Sequence, residues 1–229
     1  MIGSPRIHYR LTDSTNDRAR ELALARAPHG TLVTADEQTA GRGRQGRAWV
    51  APPRSAVTMS MVLRDLDEGS AAIPLAAAVA ACDALAPLDC KIKWPNDVWV
   101  DRRKLAGILV EGRPQEGWAV LGLGLNVTTG REQFPADLRE TATSLRIAGD
   151  DRDVEEVLGA LLAALDARLG APAAEVLAAW RERDALLGEG VRWRDGEGTA
   201  AGIDETGALL VDTGDGRVAL DAGEVHLLS

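Results

Sequence analysis

Near residue 188 the chain changes texture. Beyond it, short β-like runs at 191–193, 209–211 and 218–220 alternate with Asp195-Gly196, Thr206-Gly207 and Asp215-Gly216, dipeptides that signal hairpin turns. Residues 188–229 therefore read as a small all-β module, at the lower size limit for an independent fold. Upstream the pattern is mixed. Residues 16–25 suit a helix, with Ser14 or Thr15 placed to accept hydrogen bonds from its first free amides. Residues 31–35 and 57–63 read as strands, and 70–86, rich in alanine with Pro74 in its first turn, as a buried helix. Residues 91–111 have apolar ends around a charged turn, which predicts a strand hairpin, and 118–125 is a further apolar strand interrupted by Gly122 and Gly124. Apolar spacing predicts helices over 154–169 and 173–187, separated by Gly170 and Pro172.

A chain of 229 residues accommodates one large domain and a small one. With 26 basic against 35 acidic residues its net charge is −9, which argues against a general binder of nucleic acid or anionic membrane. Any anion site must then be a local basic island. Cys82 and Cys90 supply neither a disulfide framework nor a zinc pattern, so a reducing, cytoplasmic setting is the natural reading. No apolar run follows the first basic residues and none approaches 18 residues, so neither export nor membrane spanning is expected. His8, His29 and His226 are scattered too widely for a histidine metal site or a Ser-His-Asp triad.

Two basic islands stand out. Gly41-Arg42-Gly43-Arg44-Gln45-Gly46-Arg47-Ala48-Trp49 formally matches the dinucleotide fingerprint, but Arg47, Trp49 and Pro52-Pro53 follow where a small apolar helix start is required. What remains is a flexible backbone carrying three arginines in six residues, a cluster that repels itself unless an anion neutralises it. The second island runs from Lys93 to Lys104. Pro95 fixes the chain before Asn96-Asp97, which gather amide donors, a carbonyl and a carboxylate at one point, and Gly107 beyond Lys104 permits close approach to the backbone. Gly122-Leu123-Gly124-Leu125-Asn126 places two side-chain-free positions on a strand with a polar amide at its end. Pro-Asn-Asp is also simply a good turn, and Ser14-Thr15-Asn16 simply a helix cap.

Together, Ser14-Thr15-Asn16, Gln38, the Gly41 to Arg47 loop with Trp49 behind it, Lys93-Trp94-Pro95-Asn96-Asp97, Lys104-Leu105-Ala106-Gly107-Ile108-Leu109-Val110-Glu111 and Gly122 to Asn126 resemble the motifs of the biotin protein ligase family, in order and approximate spacing. The resemblance implies an α+β fold: a mixed β-sheet core flanked by helices, related to class II aminoacyl-tRNA synthetases, over residues 1–187, and an SH3-like β-barrel over 188–229. It implies the monofunctional type, without a DNA-binding domain, because the first motif is reached within sixteen residues. Gln45 departs from relatives with a further arginine there, and residues 127–188 hold no diagnostic motif.

The activity so implied is ATP-dependent. Biotin and ATP give biotinyl-5'-AMP, and a lysine of a biotin carboxyl carrier domain of an acyl-CoA carboxylase then takes the biotin. Arg44, Arg47, Lys104 and Mg2+ would offset the negative charge of both steps. Asp97 would orient either the acceptor lysine or Lys104. Ser14, Thr15, Gln38 and the backbone from Arg42 through Gly43 to Arg44 would hold the ureido ring, with Asn16 also in the cofactor-binding site and the valeryl chain beside Gly107 and the Gly122 to Gly124 strand. Asn96 and Asn126 would meet the adenylate and phosphates, and Trp49 the adenine. The Gly-Arg loop is expected to be disordered when empty and to close over ligand. The competing readings are a lipoate ligase and a noncatalytic biotin sensor.

Overall fold

The fold was taken from a computed structural model that describes residues 2–66, 72–221 and 223–228. It opens with a parallel pair, β1 (Arg6–Tyr9) beside β2 (Leu32–Ala35), joined by α1 (Thr15–Leu24) as the crossover that parallel strands require. Then come β3 (Ala56–Arg64), α2 (Ile73–Ala84), β4 (Lys91–Lys93), β5 (Asp97–Val100), β6 (Arg103–Arg113) and β7 (Trp118–Asn126). These strands form one mixed sheet in the order β1-β2-β3-β7-β6-β5-β4, antiparallel everywhere except the first pair. After α3 (Val154–Leu169) and α4 (Ala173–Arg181), the strands β8 (Gly190–Trp193), β9 (Gly196–Ile203), β10 (Leu209–Thr213), β11 (Gly216–Leu220) and β12 (His226–Leu227) make a second, antiparallel sheet in the order β11-β10-β9-β8-β12. The chain is α+β, as the family resemblance implies.

Strand alternation divides the large sheet into two faces with different tasks. Leu32, Met59, Met61, Leu121, Leu123 and Leu125 point to the face covered by α2 and α3, where they join one continuous core. Val33, Val62, Trp118 and Val120 point the other way and pack against Ala19 and Ala23 of α1. α1 is short and covers only part of that second face. The uncovered part carries Gly122 and Gly124 on β7 and Gly107 on β6, so the sheet there presents bare backbone.

Three expected elements differ from the structure. Residues 91–111 make two hairpins, because Trp94-Pro95-Asn96 already turns the chain and sets Lys93 opposite Asp97; Asp101 and Arg102, at φ 50° and 59°, make the second turn. The helix read over 173–187 stops at Arg181, where the chain leaves to protect the exposed edge of β4: Ile92 N donates to Arg183 O at 2.7 Å and Ala185 N to Ile92 O at 2.9 Å. The helix read over 70–86 ends at Ala84 ahead of Pro87, and its first expected residue, Ser70, lies outside the described residues.

The small sheet is continuous with the large core. Val191, Ala200, Ile203, Leu209 and Val211 belong to the same buried cluster as α2. Trp94 Nε1 donates to Gly207 O at 3.0 Å, and a Cβ on Gly207, whose φ is +87°, would stand 2.5 Å from Leu75 Cδ1. The glycine thus allows the β9–β10 turn to sit on the start of α2 and on the Lys93 to Asp97 turn.

Candidate active site

The bare patch of the sheet is the floor of a cavity of about 420 Å3. Register explains its composition: Thr58 of β3, Gly124 of β7, Gly107 of β6, Asp97 of β5 and Lys93 of β4 are successive cross-strand partners, so they form one row across five strands. The middle of the row has no side chains, and its ends are polar or charged. Trp49, brought in by the Gly-Arg loop, lies on Gly124 so closely that a Cβ there would overlap its ring. Lys104 reaches back over Gly107, where a Cβ would stand 3.1 Å from Nζ.

All the residues singled out from the sequence converge on this cavity: Ser14, Thr15, Asn16 and Gln38; Arg42, Gly43, Arg44, Arg47 and Trp49; Asn96, Asp97, Lys104, Gly107 and Asn126. Their surroundings separate them into distinct groups. Ser14 stands at the start of α1, but its hydroxyl caps nothing, correcting the sequence expectation; Thr15 N is instead taken by Gln38 Oε1 at 2.7 Å. Ser14 Oγ is buried with no hydrogen-bond partner, a costly state for a hydroxyl unless a ligand completes it. Thr15 Oγ1 also donates to Gln38 Oε1, at 3.0 Å, so this end of the cavity is a preset polar cluster.

Asn16 is a strut. Its Oδ1 accepts from Ser60 Oγ at 2.6 Å, its Nδ2 donates to Glu111 Oε2 at 2.9 Å, and it fills the space that a side chain at Gly122 would need. Asn126 Nδ2 donates to Thr143 O at 3.0 Å while its Oδ1 is buried and unpartnered. Asn96 Nδ2 donates to Ile108 O at 2.8 Å, leaving its Oδ1 for a long 3.4 Å contact with Arg44.

The cations also differ. Arg42 is held by Asp17 and Glu111, both at 2.8 Å, and Arg47 is ion-paired with Glu224 of the C-terminal sheet. Lys104 Nζ lies 2.7 Å from Asp97 Oδ1, in ion-pair contact but off the hydrogen-bonding direction. Arg44 makes no ion pair among the described residues, and burial pushes its guanidinium pKa down against the pull of Asp97. Lys93 is likewise unpaired: burial pushes its ammonium below the ordinary lysine value, Asp97 resists, and Lys104 and Arg47 add to the depression. Asp97 is the only carboxylate on the cavity wall among the described residues. A protein of net charge −9 has therefore gathered an excess of positive charge around one concave, partly apolar space, an arrangement made for an anion with an apolar portion.

Several wall residues escaped the sequence reading. Lys93 was seen only as part of a motif. Phe134, Leu138, Thr141 and Ala142 come from the stretch without recognisable signature, brought in because Lys104 N donates to Thr141 O and Thr143 N to Lys104 O, both backbone contacts of β6. His226 arrives from β12, a hundred residues beyond Asn126, where the last motif ends. No periodicity or spacing in the sequence announces contacts of that range.

The mixed sheet and its glycine-floored, cation-rimmed cavity are those of a protein ligase. The chain belongs to the biotin/lipoate A/B protein ligase family: that family's model matches residues 8–127, and the model of the biotin protein ligase C-terminal domain matches residues 186–228. It is 37% identical to the biotin--[acetyl-CoA-carboxylase] ligase of Mycobacterium tuberculosis, over 94% of this chain and 86% of that protein. It is 34% identical to the bifunctional ligase/repressor BirA of Bacillus subtilis, over 99% of this chain and 75% of that protein. Among solved structures, the biotin protein ligase of Aquifex aeolicus in complex with biotin and ATP superposes with a TM-score of 0.85 at 29% identity, covering 98% of this chain and 99% of that one.

Proposed function

We propose that this chain is an ATP-dependent biotin protein ligase that forms biotinyl-5'-AMP and transfers the biotinyl group to a lysine of a carboxyl carrier domain of an acyl-CoA carboxylase. The observation that carries the reading is the cavity itself, with the buried, unpartnered Ser14 hydroxyl at one end and Arg44, Lys93 and Lys104 at the other. A ureido ring offers donors and acceptors to Ser14, Thr15 and Gln38. The dithiolane of lipoate offers neither, so the polar end favours biotin.

In the first step a carboxylate oxygen of biotin attacks the α-phosphorus of ATP and pyrophosphate leaves. The carboxylate is ionised at neutral pH, so no general base is needed. The task is to bring two anions together, and Arg44 and Lys104 are assigned to the carboxylate and α-phosphate oxygens and Lys93 to the departing pyrophosphate, joined by Arg47 once it exchanges Glu224 for a phosphate oxygen. Asp97 holds Lys104 in place by its 2.7 Å contact. Trp49 packs over the adenine, and Asn126 Oδ1 and Asn96 receive the nucleotide's donors. In the second step the acceptor amine attacks the acyl carbon, the C–O bond to AMP breaks, the amide forms and one proton is released.

Magnesium would be held chiefly by phosphate oxygens and water, with the Asp97 carboxylate as the protein's hard-oxygen donor; when bound it offsets phosphate charge. Asp97, the only carboxylate on the cavity wall among the described residues, suits such an ion. Residues 1–187 are read as the catalytic module and 188–229 as its support. Among the described residues no helix is long and apolar enough to cross a membrane. The test is to incubate the protein with ATP, Mg2+, biotin and a carboxyl carrier domain and follow the carrier by mass spectrometry. Addition of one biotinyl group to one lysine is expected; a carrier left unmodified by biotin but modified by lipoate would replace this reading with the lipoate one.

A further inference from the structure

Arg42 belongs to the Gly-Arg loop, yet its charge is already spent. Nη1 donates to Asp17 Oδ1 and Nη2 to Glu111 Oε1, both at 2.8 Å, and although Asp17 Oδ1 also accepts from Arg20 at 2.9 Å, the two carboxylates engage both ends of the guanidinium and turn it away from a phosphate. Glu111 stands on β6 outside the cavity wall, on the face that Gly107 defines by strand alternation. Its second oxygen accepts from Asn16 Nδ2 at 2.9 Å. Asn16 is wedged into the notch of Gly122 and tied to Ser60, whose hydroxyl oxygen also lies 2.8 Å from Thr15 Oγ1. One carboxylate thus joins the loop to the polar end of the cavity.

We propose that Glu111, with Asp17, is a clamp that holds the Gly-Arg loop closed by gripping Arg42, and that through Asn16 it makes loop closure and binding of the biotin head mutually dependent. This rests on the biotin ligase reading. Arg42, Asp17 and Glu111 are each roughly a quarter to two-fifths exposed. Ion pairs so placed are weak, as a closure that must reopen in every turnover requires. Glu111 is a positioning residue: it touches neither biotin nor ATP and acts through Arg42 and Asn16.

The test combines Glu111→Ala, Glu111→Gln, Arg42→Ala and the double variant Glu111→Ala/Arg42→Ala. Biotin dissociation is measured by stopped flow, and trypsin cleavage at Arg44 and Arg47 is followed with and without biotin. Glu111→Ala is expected to release biotin about two- to fivefold faster, as loss of one exposed pair allows, and to lose most of the protection that biotin gives the loop. Biotin KM should rise by more than kcat falls. Glu111→Gln, which keeps an acceptor for Asn16, should recover part of the loss, and the double variant should be little worse than Arg42→Ala. Wild-type release and protection in Glu111→Ala, or effects that add in full in the double variant, would overturn the clamp. A wild-type protein that binds no biotin would overturn the ligase reading, an outcome separate from normal binding with an indifferent Glu111→Ala.

Discussion

Gly124→Ala adds one methyl group where the structure has least room for it. The new Cβ would lie 2.6 and 2.7 Å from Cζ2 and Cδ2 of Trp49 and nearer still to Cε2, so something must move. Strand β7 cannot, because Gly124 is paired on both sides, with Thr58 of β3 and Gly107 of β6. Trp49 can: it sits on a loop, held by its backbone N–H to Gly41 O at 2.9 Å and by the Arg42–Ala48 bridge, and its Nε1 has no partner to lose. Overpacking of this size costs about 1–3 kcal/mol. If the loop yields, that cost appears as lost packing on the adenine, and at 1.4 kcal/mol per decade it amounts to a rise of about 5- to 150-fold in the KM for ATP. Melting temperature and biotin affinity should change little. The assay is biotin-dependent exchange of labelled pyrophosphate into ATP across ATP concentrations, beside a thermal melt. Gly107→Ala is the control, since its Cβ would meet the flexible end of Lys104 at 3.1 Å and Trp49 only at 3.6 Å; its effect should fall on kcat. A Gly124→Ala protein with unchanged KM for ATP, or one that loses several degrees of stability instead, would refute the placement of Trp49.

Other substitutions separate binding from folding. Ser14→Ala removes a buried hydroxyl without a partner, so calorimetry should show stability unchanged or raised by up to about 1 kcal/mol while biotin binds about tenfold more weakly. Lys93 has a lower pKa in the folded chain than the ordinary 10.5, so folding favours its neutral form: stability is lost as pH falls through the folded value and recovered above 10.5. Lys93→Met should accordingly melt higher than wild type at pH 7, with the gain fading towards pH 10.5, while pyrophosphate release slows about tenfold. Trp94→Phe loses the bond to Gly207 O, which should cost about 1 kcal/mol and a few degrees in a thermal melt.

How far the sequence could be read depended on the range of the interactions. The strands 57–63 and 118–125 were legible because apolar runs write burial directly into the chain, and the charged turn at Asp101-Arg102 marks a hairpin locally. Strand β9 was not, since Gly-Glu-Gly-Thr-Ala-Ala-Gly has little β propensity; it forms because it is the middle strand of its sheet, and Gly198 must be bare to pass Asp212 O and Val211. Strand β1 escaped because only four residues pair, at an edge. In the site, Gly107, Gly122 and Gly124 were visible as glycines, but that they fall on one face as a floor is a matter of register. The motif residues could be named; that Arg42 and Arg47 are already neutralised while Arg44 and Lys93 are not depends on Glu111, Asp17 and Glu224, up to 177 positions away.

The central claim is that this cavity joins the carboxylate of biotin to AMP, with Lys104 as a principal cation. Pyrophosphate release with ATP and Mg2+ should be measured for the wild type and Lys104→Ala, with biotin and, separately, with lipoate. The account predicts release with biotin, little with lipoate, and a fall of about two to three orders of magnitude in the variant. A folded wild-type protein that binds biotin but releases no pyrophosphate with either acid would contradict it.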